Sequence, residues 1–76
     1  NPFMVQVDPL PGDEKPHKNG HDGQEYDYVI EGSLEVTIEE KVIELSPGDS
    51  IYFDSKKQHC FRSLNGKPAK FLCIII

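Results

Sequence analysis

His17, His21 and His59 are the only imidazoles in a chain of 76 residues. Glu25 stands four positions after His21, and His59 follows 34 residues later. Two imidazoles and one carboxylate are the donor set of the facial triad that holds iron(II), and the set also suits manganese, nickel or zinc. Geometry sets a condition on that idea. Residues four apart on an ideal strand share a face but stand roughly 13 Å apart at roughly 3.3 Å per residue, too far for ligand bonds of about 2 Å to one ion. The backbone must therefore kink between His21 and Glu25, and Gly23 is the residue type that such a kink uses. The residues alone leave a second reading open, in which His21 sits in a solvated loop, Glu25 starts an exposed edge and His59 bonds to backbone at a barrel mouth. Other chemistries find no footing. Ser33, Ser50 and Ser55 have no histidine at a telling spacing for a nucleophilic triad, and the chain has neither a Cys-x-x-Cys motif nor a Gly-rich phosphate loop.

The elements that must position these groups are strands. No window places apolar residues at i, i+3, i+4 and i+7 over three turns, and Gly or Pro interrupts every candidate. Phe3 to Val7 reads as an opening strand, followed by a long polar loop from Asp8 to Gln24 with room for at most a helical turn. Tyr26 to Ile30 is a β-rich run stopped by Gly32. Leu34, Val36 and Ile38 then alternate with Glu35, Thr37 and Glu39, the period-2 signature of a strand with one wet face. Glu40 and Lys41 form the next expected turn, Val42 to Leu45 a strand, and Ser46-Pro47-Gly48-Asp49 a type II bend. Ile51 to Phe53, His59 to Ser63 and Ala69 to Ile76 complete the set, with Asn65-Gly66 predicted at the tip of a final hairpin. Seven short strands with regular turn signals predict an all-β sandwich or barrel. Tyr26, Tyr28 and Phe61 are the aromatic candidates for lining a ligand pocket.

Composition narrows the function classes. At 37% hydrophobic the chain has enough apolar content to fold. A net charge of −5, with lysines scattered among acids, disfavours direct binding to a nucleic-acid backbone. The longest apolar run, Phe71 to Ile76, is far too short to span a bilayer, and no signal peptide opens the chain. Two cysteines, Cys60 and Cys73, suit a reduced, cytoplasmic setting. The last strand is apolar on both faces, and a domain this small buries little surface. Both features predict a homodimer, and a final hairpin that pairs His59 with a residue near Cys73 would turn Cys60 outward and Cys73 inward, so no disulfide is expected. Asn1-Pro2-Phe3 reads as mid-chain text, so the expectation is a single domain over residues 1–76 within a longer protein.

From Asn19 to Ser63 the chain resembles the cupins, a family of small β-barrels. Their first motif runs Gly-x5-His-x-His-x(3 or 4)-Glu-x6-Gly and their second Gly-x5-Pro-x-Gly-x2-His-x3-Asn. His21, Glu25 and Gly32 fall at first-motif positions, and Asn19 stands where the first histidine belongs. Gly48 and His59 keep the second-motif spacing, whereas Asp54, Lys56 and Ser63 replace its Pro, Gly and Asn. The resemblance implies a cupin (double-stranded β-helix, jelly-roll) barrel with a metal or ligand site at His21, Glu25 and His59, and Asn19 as a weaker fourth member. Glu25 to Gly32 and Gly48 to Ser55, followed by His59, are similar to the C-terminal cupin of bacterial regulators with an XRE-type helix-turn-helix. That similarity implies a sensor and dimerisation domain that binds a small-molecule effector and meets DNA only through a domain upstream. The alternative it leaves is a stand-alone metalloenzyme, dioxygenase- or epimerase-like, using non-haem iron or manganese.

Overall fold

A computed structural model describes residues 2–76. Seven strands follow one another: β1 Pro2–Val7, β2 Gln24–Glu31, β3 Leu34–Ile38, β4 Lys41–Leu45, β5 Ser50–Asp54, β6 His59–Ser63 and β7 Ala69–Ile75. They form a four-stranded sheet in the order β1-β7-β2-β5 and a three-stranded sheet in the order β4-β3-β6, with antiparallel pairing throughout. Among the described residues there is no helix, and none therefore is long and apolar enough to cross a membrane.

The alternation seen in the sequence becomes the inside and outside of a two-layer barrel. Val29 and Phe71 from the larger sheet meet Leu34, Val36 and Leu45 from the smaller one, with Ala69 and Cys73 completing a continuous core. Val29, Leu34 and Val36 are wholly buried, each worth about 1.5–3 kcal/mol in removal of apolar surface from water. The bend at Ser46 to Asp49 closes by a hydrogen bond from the Asp49 N–H to the Ser46 carbonyl at 2.9 Å. Gly48 there has φ +94°, the left-handed value that the third residue of a type II turn requires.

Three expectations need correction. The turn after β3 is Glu39-Glu40 and not Glu40-Lys41, because Lys41 pairs with Ile38 as the first residue of β4. Asn65 and Gly66 do form a turn with positive φ at both positions, but it joins two sheets and is no hairpin. β6 pairs with β3, and β7 lies between β1 and β2. Cys60, expected to face outward, is only 7% exposed. The β1–β2 loop runs past it, tied to β6 where the Arg62 guanidinium donates to the Glu14 carbonyl at 3.1 Å. Cys60 and Cys73 are both buried with free thiols.

Candidate functional site

Glu25 and His59 reach the barrel interior by strand parity. On β2 the inward positions are Glu25, Asp27 and Val29, buried while their neighbours are partly or fully exposed. On β6, His59 faces inward at the strand's first position, opposite Ile38 of β3. His21 precedes β2 and needs the kink. Gly23 supplies it with φ +100°, and a Cβ at that position would stand 2.6 Å from the Ile76 carbonyl oxygen. The bend is pinned on both sides. The His21 N–H donates to the Ser55 carbonyl at 2.9 Å, the Ser55 N–H to the Gly23 carbonyl at 3.1 Å, and Gln24 and Ile76 exchange backbone hydrogen bonds at 3.1 and 2.8 Å.

The result is a convergence of three donors. His21 Nε2 lies 3.2 Å and His59 Nε2 3.6 Å from the same carboxylate oxygen, Glu25 Oε1. Glu25 and His59 are 2% and 4% exposed, while the His21 side chain is 40% open to solvent. The other ring nitrogens face backbone carbonyls. His59 Nδ1 lies 2.7 Å from the Lys57 carbonyl and His21 Nδ1 3.3 Å from the Asp22 carbonyl. A carbonyl oxygen only accepts, so in each ring Nδ1 can donate there, and Nε2 is the nitrogen turned toward Glu25, where His21 Nε2 lies within hydrogen-bond distance of the carboxylate. Three groups that can each ligate a metal thus converge on one point.

That donor set fits a divalent ion. Bonds of about 2.1 Å at octahedral or tetrahedral angles put neighbouring ligand atoms roughly 3.0–3.4 Å apart, close to the 3.2 and 3.6 Å found here. The backbone acceptors on both Nδ1 groups are the outer contacts that fix ring orientation at metal sites. Phe53 packs edge-on against the His59 ring with centroids 4.9 Å apart.

The other predicted residues divide. Asn19 exchanges backbone hydrogen bonds with His59 at 2.9 and 2.8 Å, so it anchors the loop beside the site. Phe61 lines the adjoining pocket. Tyr26 and Tyr28 do not, for they alternate with Glu25 and Asp27 and therefore point to the outer face of the sheet. Once Glu25 is taken as inward, period 2 excludes both tyrosines from the same cavity.

Asp27 went unremarked in the sequence, although an acid at an inward position of β2 was the available signal. It is fully buried, and neither carboxylate oxygen has a hydrogen-bond partner among the described residues. Burial first, and then the neighbouring Glu25 carboxylate, push its pKa up to about 8. Cys73, opposite Asp27 on β7, has its thiol pKa raised by burial and by Asp27. Glu25 belongs to both groups, since one ligand atom from each of Glu25, Asp27 and Cys73 also falls within 4.8 Å of the others.

Comparison with known proteins supplies the context. A family model described as a cupin domain matches residues 4–75. No curated protein matches. Among solved structures, Fe(II) HppE in complex with substrate superposes with TM-score 0.87 at 25% identity, covering 99% of this chain and 44% of that one. Hydroxypropylphosphonic acid epoxidase from S. wedmorenis in complex with fosfomycin gives TM-score 0.85 at 26% identity, covering 99% of this chain and 42% of that one. This chain therefore spans less than half the length of those enzymes. The Cupin_2 domain of an XRE family transcriptional regulator from Enterobacter cloacae gives TM-score 0.80 at 24% identity, over 95% of this chain and 75% of that one. At that identity the likeness is one of fold.

Proposed function

This chain belongs to the cupin family, and we propose that it is a small-molecule-binding cupin domain whose ligand is anchored by a divalent transition metal at His21, Glu25 and His59. The observation that carries this reading is the convergence of two imidazole Nε2 atoms on one buried carboxylate oxygen. A divalent cation among the three would take the place of the proton that the His21–Glu25 contact otherwise shares. When bound, iron, manganese, nickel or zinc supplies a Lewis-acid site for an anionic group of the ligand. The protein's own residues do the rest. Gly23 sets the separation of His21 from Glu25, the Lys57 and Asp22 carbonyls hold the imidazoles with Nε2 toward Glu25, and Phe53 walls one side of His59.

The role we infer for the domain is that of sensor and dimerisation unit in a bacterial helix-turn-helix regulator, forming the C-terminal part of a longer cytoplasmic protein. Support comes from the motif similarity over Glu25 to Gly32 and Gly48 to Ser55 and from the outer face of the larger sheet. There Met4, Leu72 and Tyr28 form one cross-strand row, and Ile74, Tyr26 and Tyr52 another. Met4 is 56% and Tyr52 58% exposed, an apolar surface of the kind that a second copy covers. In this reading DNA is met by the upstream domain alone. Ligand entry reorders the β1–β2 loop beside the site, and that change biases the dimer.

The second reading, a non-haem iron enzyme, is favoured by the likeness to Fe(II) HppE over nearly the whole of this chain. One set of measurements separates the two. Protein purified without chelators is analysed for metal, and His59→Ala should abolish metal uptake in either case. Iron near one equivalent with oxygen-dependent turnover selects the enzyme. Ligand-induced melting shifts without turnover select the sensor, and failure of the wild-type protein to bind any divalent metal rejects the metal anchor itself.

A further inference from the structure

A pocket of about 550 Å³ opens beside the three donors, and the charges along its wall limit what it can take. Its walls are Val5 and Val7 of β1, Phe61 of β6, Phe71 and Ile75 of β7, and Leu10 of the β1–β2 loop. Among the described residues no lysine or arginine lines it, and its carboxylates are Asp8 and Glu25. The nitrogen bases that reach it are His17, His21 and His59, and the last two turn Nε2 to the Glu25 carboxylate. Asp8 Oδ1 accepts a hydrogen bond from the Gln6 amide at 2.8 Å, which leaves the negative charge of Asp8 on the pocket wall. The lysines close to this end of the barrel, Lys18, Lys41 and Lys57, line a different depression with Glu39 and Glu40.

We propose that the pocket selects ligands with a single anionic chelating group joined to an uncharged, apolar body, and that it rejects those carrying a second anionic group such as a phosphate, phosphonate or distal carboxylate. The proposal rests on the metal reading above. With a divalent ion in place, the positive charge available to a ligand is concentrated at one end of the pocket, and the ligand's one anionic group occupies it. A second anion would lie against Val5, Val7, Phe61 and Phe71 with no lysine or arginine beside it, losing hydration that this apolar wall does not replace. An apolar body there gains from removal of its surface from water, as pockets that are mostly apolar with a few convergent polar groups generally provide.

Alkyl hydroxamates test this, because one bidentate head can be held constant while the tail varies. The protein is loaded with Co(II), whose visible absorption reports both metal uptake and ligation by the hydroxamate. From acetohydroxamate to hexanohydroxamate the dissociation constant should fall by about fourfold per added methylene. An analogue of the longest tail ending in a phosphonate should bind at least tenfold more weakly than the plain alkyl compound. Phe3→Lys sharpens the test, since Phe3 lies at the pocket rim on an edge strand and is 48% exposed. Its added cation should recover binding of the phosphonate analogue while leaving the Co(II) spectrum of the ligand-free protein unchanged. A protein that takes up no Co(II) overturns the metal reading, and the selectivity falls with it. Normal Co(II) and hydroxamate spectra, with affinity indifferent to tail length or to the terminal phosphonate, overturn the selectivity alone.

Discussion

Strand β2 passes through two environments within five residues. Its inward positions are Glu25, Asp27 and Val29, and all three are buried. Val29 meets Leu34, Val36, Ala69 and Phe71 in a mostly apolar end of the barrel, where Ser63 is the buried polar residue opposite Leu34. Glu25 and Asp27 meet His59 and Cys73 at the other end, where Asp27 has no hydrogen-bond partner among the described residues. A domain of this size has little stability to spare. The difference teaches a division of labour, in which the apolar end holds the two sheets together and the polar end gives up stability to keep electron-pair donors dry and convergent.

Breaking the apolar end should have the largest effect. Leu34→Ala removes a fully buried side chain between the sheets and should cost about 3 kcal/mol. That lowers Tm by about 12 °C or more in a domain of this size, as thermal unfolding followed by circular dichroism would record. Gly23→Ala acts where the polar end is built. Its methyl group would collide with the Ile76 carbonyl at a left-handed φ, so a loss of about 1–3 kcal/mol is expected, together with loss of metal-induced stabilisation. A variant that keeps the wild-type metal response would show that the kink does not set the separation of His21 from Glu25.

Asp27→Asn probes the cost at the polar end. In the metal-free protein the folded pKa of about 8 lies above the ordinary value of 3.8. Between those values the native state holds a proton that the unfolded state has lost, so stability should fall as pH rises from about 4 to about 8. Asn cannot ionise, and the variant should lose that slope and melt several degrees higher than wild type near pH 8. Parallel pH profiles for the two proteins would contradict the assignment.

The two ends differed in how far they could be read from sequence. Alternation in Leu34, Val36 and Ile38 and turn chemistry at Pro47-Gly48 are local, and they foretold strands and bends to within a residue or two. Sheet membership is not local. Nothing in the Asn65-Gly66 turn says that β6 will pair with β3 while β7 inserts between β1 and β2, so the expected hairpin failed. The kink at Gly23 was legible because two ligands four apart on a strand cannot share an ion without it. The outward placement of Tyr26 and Tyr28 was also legible, since it follows from the parity of Glu25. Burial of Asp27 followed from the same parity, but the pull of its neighbours on its proton depends on Cys73 and on the depth of the barrel, which only the tertiary structure supplies.

Glu25→Gln tests the central claim most directly, because it preserves shape while removing the charge on which both imidazoles converge. A Gln side chain has nearly the same volume and its amide can still hydrogen-bond an imidazole Nε2, so the metal-free variant should remain folded. Thermal melts of both proteins with and without excess Co(II) are the measurement. The account predicts that Co(II) raises Tm of the wild type by several degrees and leaves that of Glu25→Gln unchanged. An equal Co(II) shift in both proteins, or none in the wild type, would contradict it.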